Sequence, residues 1–265
     1  MAVDAPLLRV HGARFSYGQR EVLKGIDLEV FRGDVLCLLG PNGSGKTTLL
    51  RCMAGASRPS AGSVRLDDAE VGALSAPDRA RRIGFLFQDH TPTFPFAVRD
   101  VVVMGRAPHL GLFGSPGPRD SALAADALER VGIGSLAGRP YTQVSGGERQ
   151  LVLLARTLVQ TPDAILLDEP MTHLDFRNQV RVLRIIRSLA DDGLTIVMST
   201  HDPNHALWLR GRAALMKDGR VVAVGHASDV ITESNVSTAY DTAVRVFSVA
   251  GSDGDRSSIC SPWHS

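Results

Sequence analysis

The sequence predicts an α/β fold built on a sheet buried on both faces, and three observations lead there. Short unbroken apolar runs recur at Val35-Leu36-Cys37-Leu38-Leu39, Ile83-Gly84-Phe85-Leu86-Phe87, Ala164-Ile165-Leu166-Leu167 and Thr195-Ile196-Val197-Met198, the composition of strands with no solvent face. Helix-like stretches lie between and after them, at residues 48–54, 98–104, 149–159 and 176–189. The last is amphipathic through Phe176, Val180, Leu183, Ile186 and Leu189. With 265 residues, 44% of them hydrophobic, the chain can bury a sizeable core, as one large domain or a domain with an appendage.

Charge and cysteine usage narrow the class. A net charge of +1 argues against a broad basic surface, so no nucleic-acid partner is expected. Cys37, Cys52 and Cys260 show no metal-ligand spacing, and free buried thiols in a reduced, cytosolic compartment fit them. No apolar run approaches the roughly 18–20 residues that span a bilayer. Residues 1–9 carry no secretory pattern, so the chain is not expected to cross a membrane by itself.

Taken in order, residues 7–17 and 22–30 alternate as strands around a turn at Gly18, which points to an antiparallel β layer. Tyr17, at its edge, is suited to stack on a nucleotide base, although strand aromatics more often serve packing. After the strand at Val35 comes Gly40-Pro41-Asn42-Gly43-Ser44-Gly45-Lys46-Thr47, then Thr48 and a helix. Two glycines four residues apart, followed by Lys and Thr, fit a phosphate-binding loop in its strand–loop–helix context. Gly40, Gly43 and Gly45 free the backbone to point successive N–H groups into one concave nest. The helix start adds its positive dipole end. Lys46 supplies a charge for the β- and γ-phosphates, and the Thr47 hydroxyl suits Mg²⁺.

Residues 57–62 read as a loop, 63–66 as a short strand and 77–82 as a small basic helix. The strand expected over 83–87 ends at Gln88, and from Asp89 the character changes. His90 to Phe96 is rich in Pro and Phe, and residues 105–118 in Gly and Pro, carrying His109, Leu110, Leu112 and Phe113. Apolar groups there point either to a docking surface or to a loop folded onto its own domain. A helix is expected over 120–131. Ser145-Gly146-Gly147-Glu148 forms a second glycine turn at a helix start, another anion-binding end; as an isolated tripeptide it is a common N-cap.

Asp168 and Glu169 close an apolar strand, where α/β sheets bind ligands. Successive side chains leave a strand in opposite directions. Asp168 therefore suits the Mg²⁺ shell, while Glu169 suits orientation or deprotonation of an attacking water. His201 ends the run 195–200 and is expected to contact a γ-phosphate. Residues 213–225 read as a closing hairpin around Lys217-Asp218-Gly219, followed by a helical tail and, from Ser252, a polar frayed end.

This ordered set resembles the ATP-binding subunit of an ABC transporter over about residues 7–247. Residues 40–47 match the Walker A motif, Gln88 the Q-loop and Val144-Ser145-Gly146-Gly147-Glu148 the signature. Residues 164–169 match the Walker B motif, His173-Leu174-Asp175 the D-loop, His201 the switch histidine and Tyr17 the adenine-stacking aromatic. Ser-Gly-Gly about twenty residues before the apolar-Asp-Glu strand is what narrows a general phosphate loop to this family. Val144 replaces the commoner Leu, Glu148 the commoner Gln, and Met171 the usual Thr.

The resemblance implies a P-loop NTPase (RecA-like) core with an antiparallel β subdomain, over residues 1–88 and 161–225, and an inserted helical signature subdomain over 89–160. A helical extension over 226–250 completes a domain of residues 1–250, and 251–265 is expected to be a flexible tail. It implies ATP and Mg²⁺ as cofactors, with Thr47, Gln88 and Asp168 around the metal. Lys46, Glu169, His201 and Gln88 would serve catalysis, and Asp175 would lie at the nucleotide.

Two copies would sandwich ATP head to tail, each loop facing the partner's signature. A polytopic permease would dock at residues 88–113 on the cytoplasmic face of the membrane, holding the chain there as a peripheral subunit. A periplasmic or extracellular binding protein would act only indirectly. Residues 94–101, 172–179 and 200–206 resemble importers of iron–siderophore complexes, haem and cobalamin, with molybdate or tungstate importers close behind.

Two other classes, a soluble ABC ATPase acting on ribosomes or DNA and a binding-only regulator without turnover, fit less well. Soluble translation-type members usually carry paired ATPase units, whereas each motif here occurs once. Chromosome-type members insert a long coiled coil between Walker A and signature; here about a hundred residues intervene, without sustained heptads. A binding-only regulator would not need Glu169.

Overall fold

A computed structural model describes residues 5–87, 94–111, 114–250 and 256–263. The first elements are β1 (Leu8–Tyr17), β2 (Arg20–Val30), β3 (Val35–Leu39), α1 (Lys46–Met53), β4 (Ala61–Leu66) and β5 (Ala69–Glu70). Next come α2 (Ala76–Arg82), β6 (Ile83–Leu86), α3 (Val98–Val103), α4 (Pro118–Arg130), α5 (Gly146–Leu158), β7 (Ala164–Leu167) and α6 (Phe176–Asp191). The chain then forms β8 (Thr195–Thr200), α7 (Pro203–Leu209), β9 (Arg212–Lys217) and β10 (Arg220–His226). It closes with α8 (Ala227–Val230), α9 (Glu233–Tyr240), β11 (Val244–Ala250) and β12 (Arg256–Pro262).

The chain divides into two compact units, residues 1–73 with 190–265, and residues 74–189. These limits differ from the helical segment expected over 89–160, because α2, β6, β7 and most of α6 group with the helices.

In the first unit β3 is parallel to both β8 and β9, and β10 turns back antiparallel to β9. Every residue of β3 and β8 is buried, which is why neither shows polar alternation. The antiparallel layer runs β2-β1-β4-β5, and its half-buried strands alternate as expected. Burial lifts the Cys37 thiol to about 12 and the Cys52 thiol to about 11, so both behave as small apolar groups.

The C-terminus departs from expectation. The tail beyond residue 250 is not wholly frayed: β12 pairs along the length of β11. Asn204 of α7 holds it, donating through Nδ2 to the Cys260 carbonyl at 3.0 Å and accepting from the Cys260 amide at 2.9 Å. A polar composition hid a strand because it is rich in Ser, with Cys260 buried and its one large apolar side chain, Ile259, exposed. The extension expected to be helical over 226–250 likewise ends in β11.

In the second unit β6 and β7 pair in parallel, and α3, α4 and α5 form the helical part. Residues 88–93, 112 and 113, and with them the expected roles of Gln88, Leu112 and Phe113, lie outside the described residues. Much of the following Gly- and Pro-rich stretch is anchored to its own unit. Arg106 is buried, with Nε donating to Asp120 Oδ1 at 2.8 Å and Nη1 to the Val159 carbonyl at 2.9 Å. His109 Nε2 lies 2.8 Å from the Gln160 carbonyl. Among the described residues of this region Phe94, Phe96 and Met104 remain 62%, 48% and 41% exposed.

Candidate nucleotide site

The phosphate loop occupies the first unit between β3 and α1. Gly40, Gly43 and Gly45 have φ of +146°, +82° and +105°, a region that L side chains rarely enter. Gly40 is also sterically required: a Cβ there would sit 2.3 Å from the Met216 carbonyl oxygen. Lys46 is buried, and its Nζ donates to the carbonyls of Gly40 at 2.8 Å and Pro41 at 3.1 Å. The amide of Gly219, in the β9–β10 turn, donates to the Ser44 carbonyl at 3.2 Å. Asn42 and Gly43 are exposed at the loop's crown, Pro41 and Thr47 half-buried, and Thr48 buried.

The donor set fits a polyphosphate. Ser44 Oγ is buried without a hydrogen-bond partner among the described residues, a hydroxyl that a phosphate oxygen would satisfy. The glycine backbone and the start of α1 supply the remaining donors.

His201 follows β8 and is exposed. The next turn is tightly tied: Thr200 Oγ1 lies 2.8 Å from His205 Nδ1 and accepts from the Asp202 amide. Asp202 caps α7 by accepting from the Asn204 amide at 2.8 Å. Burial pushes the pKa of His205 down, keeping it a neutral partner for Thr200. One residue that the sequence reading passed over joins this group. The Tyr240 hydroxyl accepts from the Gly40 amide at 3.0 Å and donates to the His201 carbonyl at 2.9 Å. No periodicity or motif flags it, since the bond to Gly40 spans 200 residues of chain. Tyr17 ends β1 49% exposed, with its ring edge-on to Phe15.

In the second unit β7 stops at Leu167, so Asp168 and Glu169 stand just beyond it rather than on it. Asp168 is 2% exposed. Glu169 takes φ +46°, and its Oε2 accepts from Thr172 Oγ1 at 2.8 Å. Met171 is buried, so its thioether packs where the sequence comparison expected a hydroxyl. Asp175 is exposed and its Oδ1 accepts from the Asn178 amide at 2.8 Å, serving the start of α6 as an N-cap does.

The signature turn is a regular helix start. Ser145 Oγ accepts from the Glu148 amide at 3.3 Å, and Glu148 Oε2 accepts from the Ser145 amide at 2.8 Å, a complete capping box. This accounts for Glu148: a carboxylate accepts more strongly than an amide oxygen at the positive end of α5. The bond from the Ser145 backbone holds its carboxyl below the usual range. Val144 is buried, so a change from Leu keeps the apolar contact. A Cβ on Gly147 would lie 2.8 Å from Asn178, whereas one on Gly146 would meet nothing within 4 Å.

A glycine cradle closed by a buried lysine at a helix start is the phosphate site of a P-loop ATPase. The ABC transporter family profile matches residues 23–172. The hemin import ATP-binding protein HmuV of Streptomyces coelicolor is 44% identical over 236 residues, spanning 89% of this chain and 84% of its own. The cobalamin import ATP-binding protein BtuD of Halobacterium salinarum is 39% identical, spanning 90% of this chain and 60% of its own.

Among solved structures, a chain of a transporter assigned to the metal-chelate ABC type, in an inward-facing conformation, superposes with a TM-score of 0.87 at 29% identity, covering 98% of each chain. A dimeric post-hydrolysis state of the ATP-binding cassette MJ0796, bound to ADP and Pi, superposes at 0.71 with 27% identity, covering 83% of this chain and 98% of its own. The chain belongs to the ABC transporter family, as an ATP-binding, ATP-hydrolysing subunit.

Proposed function

We propose that two copies of this chain drive uptake of a metal chelate, namely a ferric siderophore, haem or cobalamin, through a separate polytopic permease on whose cytoplasmic face they sit. The observation that carries the reading is the pairing of a complete phosphate cradle with a separate, solvent-facing capped serine turn in one chain. The kinship of HmuV and BtuD supports the cargo class. Among the described residues no helix is long and apolar enough to cross a membrane, and in this reading the permease chain supplies the transport path. The exposed Phe94 and Phe96 suit contact with that chain.

In this reading ATP displaces the carbonyls of Gly40 and Pro41 from Lys46, and the loop amides and Ser44 hydroxyl receive the phosphates. Thr47, Asp168 and Gln88 would hold Mg²⁺, whose charge offsets that of the β- and γ-phosphates. Tyr17 stacks on the base. Ser145 and Gly147 of one copy face the nucleotide of the other, with Gly146 and Glu148 shaping the turn and Asp175 beside it. Glu169 takes the proton of the attacking water and His201 steadies the γ-phosphate.

Glu169→Gln should cut turnover about 10²–10⁴-fold and trap an ATP-bound dimer by size-exclusion chromatography; parental turnover would remove Glu169 from this role. Transport is tested by reconstituting the chain with its permease and binding protein in vesicles. ATP-dependent accumulation of haem, cobalamin or a ferric siderophore supports import, and accumulation of molybdate instead would overturn the cargo class.

A further inference from the structure

We infer that Tyr240 is a positioning residue of the ATPase, its hydroxyl tying the first glycine of the phosphate loop to the backbone of His201 so that the two shift together. The inference rests on the reading of His201 given above. Three facts carry it. The hydroxyl uses both its capacities, accepting from Gly40 and donating to the His201 carbonyl. His201 is exposed, and a bond to its own carbonyl fixes where its side chain starts. Gly40 is the residue whose carbonyl receives Lys46, so the link reaches the group that must move when phosphate arrives.

The mount is firm. Tyr240 is the last residue of α9. Thr232 caps the start of that helix, accepting from the Asn235 amide, and Val236 and Ala239 bury its inner face. At its end Lys217 Nζ donates to the Thr238 carbonyl and Asp241 Oδ1, each at 2.6 Å. Lys217 follows Met216, the residue whose carbonyl crowds Gly40. Consecutive residues of β9 thus brace the loop and clamp the helix that reports on it. The C-terminal helix on this account belongs to the nucleotide machinery.

The test is Tyr240→Phe, which removes one oxygen. In the full chain with its permease, kcat should fall about tenfold, the rate worth of one hydrogen bond, while KM for ATP stays within about twofold. Hydrogen exchange at the Gly40 amide should accelerate by about the same factor. A hydroxyl with only a structural role would lower the melting temperature and leave kcat per folded molecule unchanged; that result, or an unprotected Gly40 amide in the parental chain, overturns the inference. The amide measurement on the parental chain still tests the link if the variant folds poorly. His201→Ala serves as control. If it keeps parental turnover, the role given to His201 has failed; if it is inactive while Tyr240→Phe is unimpaired, only the present inference has.

Discussion

The two glycine turns of this chain, at Gly40 and at Ser145, look alike in sequence and differ in physics. The first is built against resistance: three glycines in left-handed or near-extended positive-φ conformations, a buried lysine and a backbone carbonyl of Met216 at its back. The second is an ordinary helix start, with no strained residue, an exposed serine and a reciprocal cap that satisfies itself. Strain and a buried unpartnered hydroxyl mark a place shaped for a ligand of its own. A relaxed, exposed N-terminus offers its donors only to a surface brought to it, as the proposed sharing of the site between two copies requires.

Substitutions can break that contrast. The largest effect should come from Gly40→Ala, because the methyl meets the Met216 carbonyl and the φ is wrong for alanine. Stability should fall by about 2–4 kcal/mol, and calorimetric titration should show no ATP binding. Normal binding would mean the loop is softer than its contacts imply.

Ser145→Ala is the converse case. Losing the cap should cost about 1 kcal/mol; each copy should bind ATP with parental affinity, while ATP-driven dimerisation and turnover fall about a hundredfold. Loss of binding by the separate copies would collapse the distinction between the turns.

The smallest effect is electrostatic. Glu148 has a depressed folded pKa, so its contribution to stability is present above the unfolded value and fades as pH falls through the folded one. Urea midpoints of the parental chain and Glu148→Gln should therefore differ most at neutral pH and converge below the ordinary carboxylate range. A gap independent of pH would assign the capping box no charge.

Much of this was legible in the residues. Buried strands such as β3 and β8 announce themselves because a two-faced core admits no polar position, and the phosphate loop because glycine spacing is dictated by backbone geometry. The strand was read two residues too long, with Asp168 and Glu169 on it rather than beyond it, since hydropathy marks where burial ends and not where pairing ends. Tyr240 was invisible for a deeper reason. A single hydroxyl bridging three distant segments leaves no periodic trace, and only the folded backbone shows that they meet. The strand β12 escaped because it is rich in serine, and its pairing with β11 and its bonds to Asn204 leave no trace in hydropathy.

The lysine folded onto its own loop has a consequence for the cycle's slow phase. A buried ammonium stripped of partners would be costly, and an emptied site of that kind would cling to spent nucleotide. Here the carbonyls of Gly40 and Pro41 wait in reserve, so departing ADP leaves behind a cation that is already accommodated. In the proposed cycle this competition from within the chain should shorten product residence time.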